Sequence, residues 1–215
     1  MNKPLVLPFM GLLLTGLFIG GCKKDEKKEE VPAVTTPSLL DETYRFTGMV
    51  GTDNVNISVG SDGSLQFSST DFEYVTDSSS RTYQSSLMEF SGNEYVSVSK
   101  GAIEFLSSAG LSSSTVMNYF AKGTYNQFLS YGQEVTADGI SISFRDKNGE
   151  SWSTDYGSQT GSSFVITDVA AKNESNQVGA VIKATINCKV YSSDGSRSLT
   201  MTNCTLVAIF TGPMG

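Results

Sequence analysis

Residues 180–210, AVIKATINCKVYSSDGSRSLTMTNCTLVAIF, hold two long runs in which apolar and polar side chains alternate, joined by Ser193-Asp194-Gly195. A period of two is the mark of a strand with one buried face, and an Asp-Gly between two such runs marks a hairpin. A type I turn closed by Gly195 in the left-handed region gives a three-residue loop. Ser192 then pairs with Ser196, Cys188 with Thr200 and Cys204 with Ala184. Both thiols fall on the face that carries Ile182, Ile186, Leu206, Ala208 and Phe210. They stand four positions apart along the ladder, roughly 13 Å at the usual strand rise. A disulfide needs Cα atoms within about 7 Å. This register therefore predicts two buried free thiols and no Cys188–Cys204 bridge, and a two-residue loop would set the cysteines on opposite faces.

The same turn chemistry recurs at Ser61-Asp62-Gly63 and Lys147-Asn148-Gly149. In the first, a three-residue loop sets Val59 against Leu65 and Ile57 against Phe67. In the second it sets Phe144 against Trp152 and Ile142 against Thr154, with Ser141, Ser143 and Arg145 on the other face. The single tryptophan thereby points with the apolar set, as a core aromatic rather than a sugar-stacking platform. Further strands are expected over Tyr44–Val50, Asn54–Val59, Ser64–Ser68, Asp71–Thr76, Thr82–Phe90, Tyr95–Ser99, Ala102–Leu106, Ile140–Arg145, Ser151–Thr154, Ser163–Val169, Ala180–Tyr191 and Ser198–Phe210. The one helix expected is Thr115–Lys122, capped by Ser114 and closed by Gly123, with Val116, Met117, Phe120 and Ala121 on one face. The fold class is all-β, an antiparallel sandwich or flattened barrel of about 10–12 strands with one short helix. Whether it encloses a cavity stays open at this level.

The N-terminus has a different character. Lys3 precedes an apolar run from Leu5 to Ile19, too short for the ~20 residues of a membrane span and shaped like an export leader. Gly20-Gly21-Cys22 resembles a bacterial lipobox, which implies that residues 1–21 are removed and that Cys22 carries a thioether-linked diacylglycerol and a palmitate-type acyl chain on its new amino group. Each buried methylene adds about 0.8 kcal/mol to such an anchor. Lys23, Lys24, Asp25 and Glu26 resemble the signal that carries Bacteroidota lipoproteins to the outer face of the outer membrane. Residues 22–38 form a charged, proline-containing stalk, and residues 39–215 a single all-β domain.

Composition removes several activities. The 215-residue chain has 22 acidic against 15 basic residues, a formal charge of −7, which argues against nucleic acid as a partner. It has no histidine, which removes Ser-His-Asp and Cys-His machinery and His-based zinc sites. No cofactor is indicated. Asp146, Asn148 and Glu150 alternate through one turn, and Asp53 with Asn54 or Asp62 offers a second oxygen-rich group, but the spacing of a calcium loop is missing, so no metal site is expected. Glu73, Glu89, Glu94, Glu104, Glu134 and Glu150 could supply a carboxylate pair, and nothing in their spacing selects two.

The stretch GISISFRDKNGESWSTDYGSQTGSSFVITDV, residues 139–169, followed by the hairpin above, resembles the C-terminal part of Bacteroidota surface lipoproteins of undefined function. There a D-x-N-G-x-x-W-S-T hairpin precedes a cysteine-bearing strand and a final strand. The resemblance implies a cell-envelope location and a β-rich fold, and brings no catalytic or binding residues with it. The expectation is a non-catalytic module, lipid-anchored in the outer membrane and facing the cell exterior, that binds a glycan, a small molecule or an envelope protein. Tyr125, Phe128, Tyr131 and Tyr156 are the candidate ligand-binding aromatics. The alternatives are a glycoside hydrolase with a carboxylate pair and a fimbrial or structural subunit with a strand-accepting edge.

Overall fold

In the computed structural model, which describes residues 38–214 apart from 61–62, 76, 107–108, 131–132 and 134–135, eleven named strands follow one another with one α-helix among them. They are β1 (Arg45–Val50), β2 (Asp53–Ser58), β3 (Leu65–Val75), β4 (Ser78–Met88), β5 (Tyr95–Leu106), α1 (Ser113–Tyr119), β6 (Gly123–Tyr125), β7 (Gly139–Arg145), β8 (Ser151–Ser153), β9 (Ser163–Ala171), β10 (Gln177–Ser192) and β11 (Ser198–Pro213). The fold is all-β. The hydrogen-bonded path runs β2-β1-β11-β10-β8-β7-β5-β4-β3, with β9 on β10 and β6 on β9, and every ladder between these strands is antiparallel.

The long hairpin organises the sheet. One edge of β10 pairs with β11 along almost its whole length, while its other edge serves β9 over Ala180–Asn187 and β8 at Tyr191–Ser192. The right-handed twist of successive strands curls the sheet until β3 approaches β11. There β1 has already ended, since its ladder on β11 covers only Met201–Val207. Side chains bridge the gap: Thr211 N donates to Ser68 Oγ at 2.7 Å, and Gln66 Nε2 donates to Ile209 O at 3.3 Å. Arg81 adds a bond to Pro213 O.

Inside the curl lies a continuous core that includes Phe46, Ile57, Leu87, Val98, Ile142, Phe164, Ile186, Leu206 and Phe210. Helix α1 contributes Val116 and its C-cap Phe120, whose ring lies 5.0 Å from Phe210 and 5.6 Å from Tyr83. Each such side chain adds about 1.5–3 kcal/mol when removed from water. A small second cluster, Leu39, Val181 and Val207, covers the outer face of β10 and β11.

Several sequence expectations need correction. The first hairpin does not form: β2 pairs with β1, placing Ile57 opposite Phe46, and β3 pairs with β4, placing Leu65 opposite Met88 and Phe67 opposite Ser86. Strands β2 and β3 are the two ends of the sheet path. An eleven-residue ladder with β4 outweighs what a local turn could offer. Leu65 and Phe67 then point outward, 46% and 51% exposed.

The second hairpin has the expected three-residue loop, with Asp146 N bonded to Glu150 O and Phe144 opposite Trp152. The third differs. Ser192 N bonds to Arg197 O, so the loop has four residues, and Cys188 faces Met201 rather than Thr200. A bulge at Asn203, φ +48°, then adds a second shift, so Cys204 faces Ile186 rather than Ala184. Both thiols are free and buried, two positions apart on β10 rather than four.

The helix starts earlier than expected, with Ser112 rather than Ser114 as the cap accepting from Thr115 N. Its face keeps Val116 and Phe120 but leaves Ala121 exposed, and Gly123 opens β6 instead of closing the helix. Two pairs of expected strands fuse, into β3 and into β5.

Candidate functional site

One concavity among the described residues is a cleft of about 290 Å³ lined by Tyr95, Ser143, Phe144, Ser151, Trp152, Ser153, Asp155, Tyr156, Tyr191 and Ser193. Its floor follows from strand alternation. In β7 and β8, Phe144 and Trp152 turn into the core, so their neighbours Ser143, Ser151 and Ser153 turn outward. Its walls are tyrosines from three places. Tyr95 opens β5, Tyr191 comes from the end of β10, and Tyr156 stands on a single 3-10 turn, Thr154–Tyr156, after β8.

Local hydrogen bonds hold that turn. Ser153 Oγ accepts from Asp155 N at 3.1 Å, Thr154 Oγ1 accepts from Ile142 N at 3.0 Å, and Ser141 Oγ donates to Asp155 Oδ1 at 2.9 Å. The following chain lies flat on Tyr191: a Cβ at Gly157 would sit 2.4 Å from its ring, so only glycine fits there. Tyr191 OH donates to Ser158 O at 2.6 Å. Tyr156 is left 43% exposed beside this fixed wall. Aromatic faces over a hydroxyl floor suit a ligand with both apolar ring faces and hydroxyl edges.

The register extends the floor beyond the cleft. Tyr191 faces Ser153, Ser153 faces Ser143, Ser143 faces Ser97, Ser97 faces Ser86 and Ser86 faces Phe67. Four serines thus cross the outer face in one row with an aromatic at each end. Ser86 Oγ donates to Ser97 Oγ at 2.9 Å and Gln84 Nε2 donates to the same oxygen at 2.6 Å, so part of the row is preorganised.

Trp152 is a wall residue of limited access, 6% exposed, with its Nε1 donating to Asp146 Oδ2 at 3.2 Å and the Arg197 guanidinium 5.1 Å from its ring centre. Asp155 is the one carboxylate among the cleft's lining residues. Beside the cleft, Asp53, Glu94 and Asp146 share a smaller pocket of about 90 Å³. Burial, and then Glu89, raises the pKa of Glu94 above the usual carboxylate range. Asp146 is occupied in its own turn, accepting from Asn148 N and Glu150 N at 2.9 Å each. Glu150 is paired with Arg197. Among the described residues no group of three or more Asp, Glu or Cys side chains is arranged to hold a metal ion.

The four candidate aromatics do not form one site. Tyr125 and Phe128 pack against the main core, Tyr131 lies outside the described residues, and Tyr156 lines the cleft. Tyr125 OH donates to Ala121 O at 2.8 Å, and its ring lies 4.8 Å from Lys100 Nζ, which also stands 3.7 Å from the Tyr119 ring. Lys100 is 1% exposed and bonds Asp138; burial lowers its pKa against the pull of that carboxylate. This buried cation under two tyrosines ties β5 to the segment between β6 and β7 and lines neither of the two pockets described above.

Sequence reasoning missed Tyr95 and Tyr191. Tyr95 was legible as the outward partner of Val96 and Val98, whereas Tyr191 meets the cleft only through the pairing of β10 with β8. Cys22, Lys23, Lys24, Asp25 and Glu26 lie outside the described residues. No helix among the described residues is long and apolar enough to cross a membrane. Comparison with protein-family profiles, with curated proteins and with solved structures gives no match.

Proposed function

We propose that this chain is a lipoprotein, anchored in the outer membrane through Cys22 and facing the cell exterior, whose β-domain binds glycan without catalysis. The observation that carries the reading is the cleft in which Tyr95, Tyr156 and Tyr191 rise over Ser143, Ser151 and Ser153. Sugar rings offer an apolar face to such aromatics and hydroxyls to such serines. The non-catalytic part rests on the lining: two carboxylates at about 5–10 Å across an open groove would serve glycoside hydrolysis, and this cleft is lined by one, Asp155. The acidic trio next to it occupies a space far below the several hundred Å³ typical of ligand pockets.

Affinity electrophoresis of the domain through gels holding single polysaccharides tests the reading. Retardation by at least one is expected, weakened roughly tenfold by Tyr156→Ala and by Tyr95→Ala, about the loss of one stacked ring, with the melting temperature unchanged. A domain retarded by none, or retarded equally after both substitutions, overturns it. Release of reducing ends from a retained polysaccharide overturns the non-catalytic part. Palmitate labelling of whole cells should disappear in Cys22→Ala.

A further inference from the structure

We infer that the ligand of the cleft is an internal stretch of an uncharged glycan chain, lying across the strands from Tyr156 and Tyr191 to Phe67. This rests on the glycan reading above and adds its direction, length and charge.

The direction comes from the register. The row Tyr191–Ser153–Ser143–Ser97–Ser86–Phe67 takes one outward residue from each of β10, β8, β7, β5, β4 and β3. Neighbouring strands lie about 4.8 Å apart, so the row spans roughly 24 Å, with Ser143 and Ser86 half-buried and Ser153 and Ser97 buried beneath the surface at 8% and 3% exposed. A chain of rings running perpendicular to the strands meets an accessible hydroxyl about every second ring, at Ser143 and Ser86, over a floor held by the bonds of Ser97 and Ser153. The row ends on Phe67, an aromatic 51% exposed on an edge strand, where burial provides no reason for it. It is continuous with the cleft, which already contains Ser143, Ser153 and Tyr191.

The charge comes from what surrounds the path. Asp155 faces the cleft, Asp53, Glu94 and Asp146 line the adjoining pocket, and Glu150 closes the turn between β7 and β8. Two of the nearby cations are engaged, Lys147 with Asp53 at 3.0 Å and Arg197 with Glu150. Arg145 stands 5.7 Å from the Tyr95 ring centre. Five carboxylates against three cations repel a uronate or sulfate group and leave a neutral ring unaffected.

Isothermal titration with uncharged polysaccharides (β-glucan, xylan, mannan), with their two- to six-unit oligomers, and with a uronate and a sulfated polymer tests this. Expected are an affinity that rises with oligomer length and a roughly tenfold loss for the long oligomers in Phe67→Ala. The same variant should bind the two-unit oligomer as wild type does, Phe67→Tyr should restore the loss, and the acidic polymers should not bind at 150 mM salt. Length-independent affinity, no effect of Phe67→Ala, or Tyr156-dependent binding of an acidic polymer overturns the inference and leaves glycan binding standing. Absence of binding to every polymer overturns both.

Discussion

At the scale of single residues the two core cysteines show how burial sets chemistry. Cys188 and Cys204 are 3% and 0% exposed. Burial pushes their thiols up to about 12 and about 11, from an ordinary 9.0, with the neighbouring Cys204 adding to the effect on Cys188. The unfolded chain therefore loses these protons first. Between pH 9 and 11 the folded state binds more protons than the unfolded one, and stability falls as pH rises. The slope is at most about 1.4 kcal/mol per pH unit for each thiol. Denaturant melts from pH 8 to 10.5 should show a shallower decline in Cys204→Ala than in wild type, since that comparison cancels Lys100, whose lowered pKa acts in the opposite sense, and the buried tyrosines. Equal slopes would show that the thiols do not contribute.

At the scale of elements, the bulge in β11 decides which side chains enter the core. Asn203 takes a left-handed conformation, and its N–H is accepted by Asn187 Oδ1 at 2.8 Å. Before it Met201 points inward; after it Cys204, Leu206, Ala208 and Phe210 do. Across the ladder Gly48 makes room, since a Cβ there would lie 2.6 Å from Cys204 Cα. A β-branched residue is costly at positive φ. Asn203→Val should therefore lower stability by about 1–2 kcal/mol and Asn203→Gly by much less, measured by urea unfolding. A similar loss in both would place the cost in the Asn187 bond instead of the backbone. A single inserted residue thus reverses the parity of half a strand, which alternation alone does not reveal.

At the scale of the whole molecule, the sheet is closed by side chains where main-chain pairing stops. Ser68 and Gln66 reach β11 across the seam. Ser68→Ala should cost about 1 kcal/mol. In native-state hydrogen exchange it should accelerate β3 amides well ahead of those in β10; uniform acceleration would mean that the seam opens only with global unfolding. The alternations of residues 180–210, the turn at 146–150 and the serines facing away from Phe144 were legible in the sequence, because a strand of period two with one buried face writes itself into neighbouring residues. So were the all-β class and the inward Trp152. The pairing of β3 with β4 instead of β2 was not, nor the meeting of Tyr95, Tyr156 and Tyr191, nor the serine row that ends at Phe67. Those depend on which distant strands lie side by side, and that choice is made by the summed burial of the whole sheet, a quantity no local stretch contains.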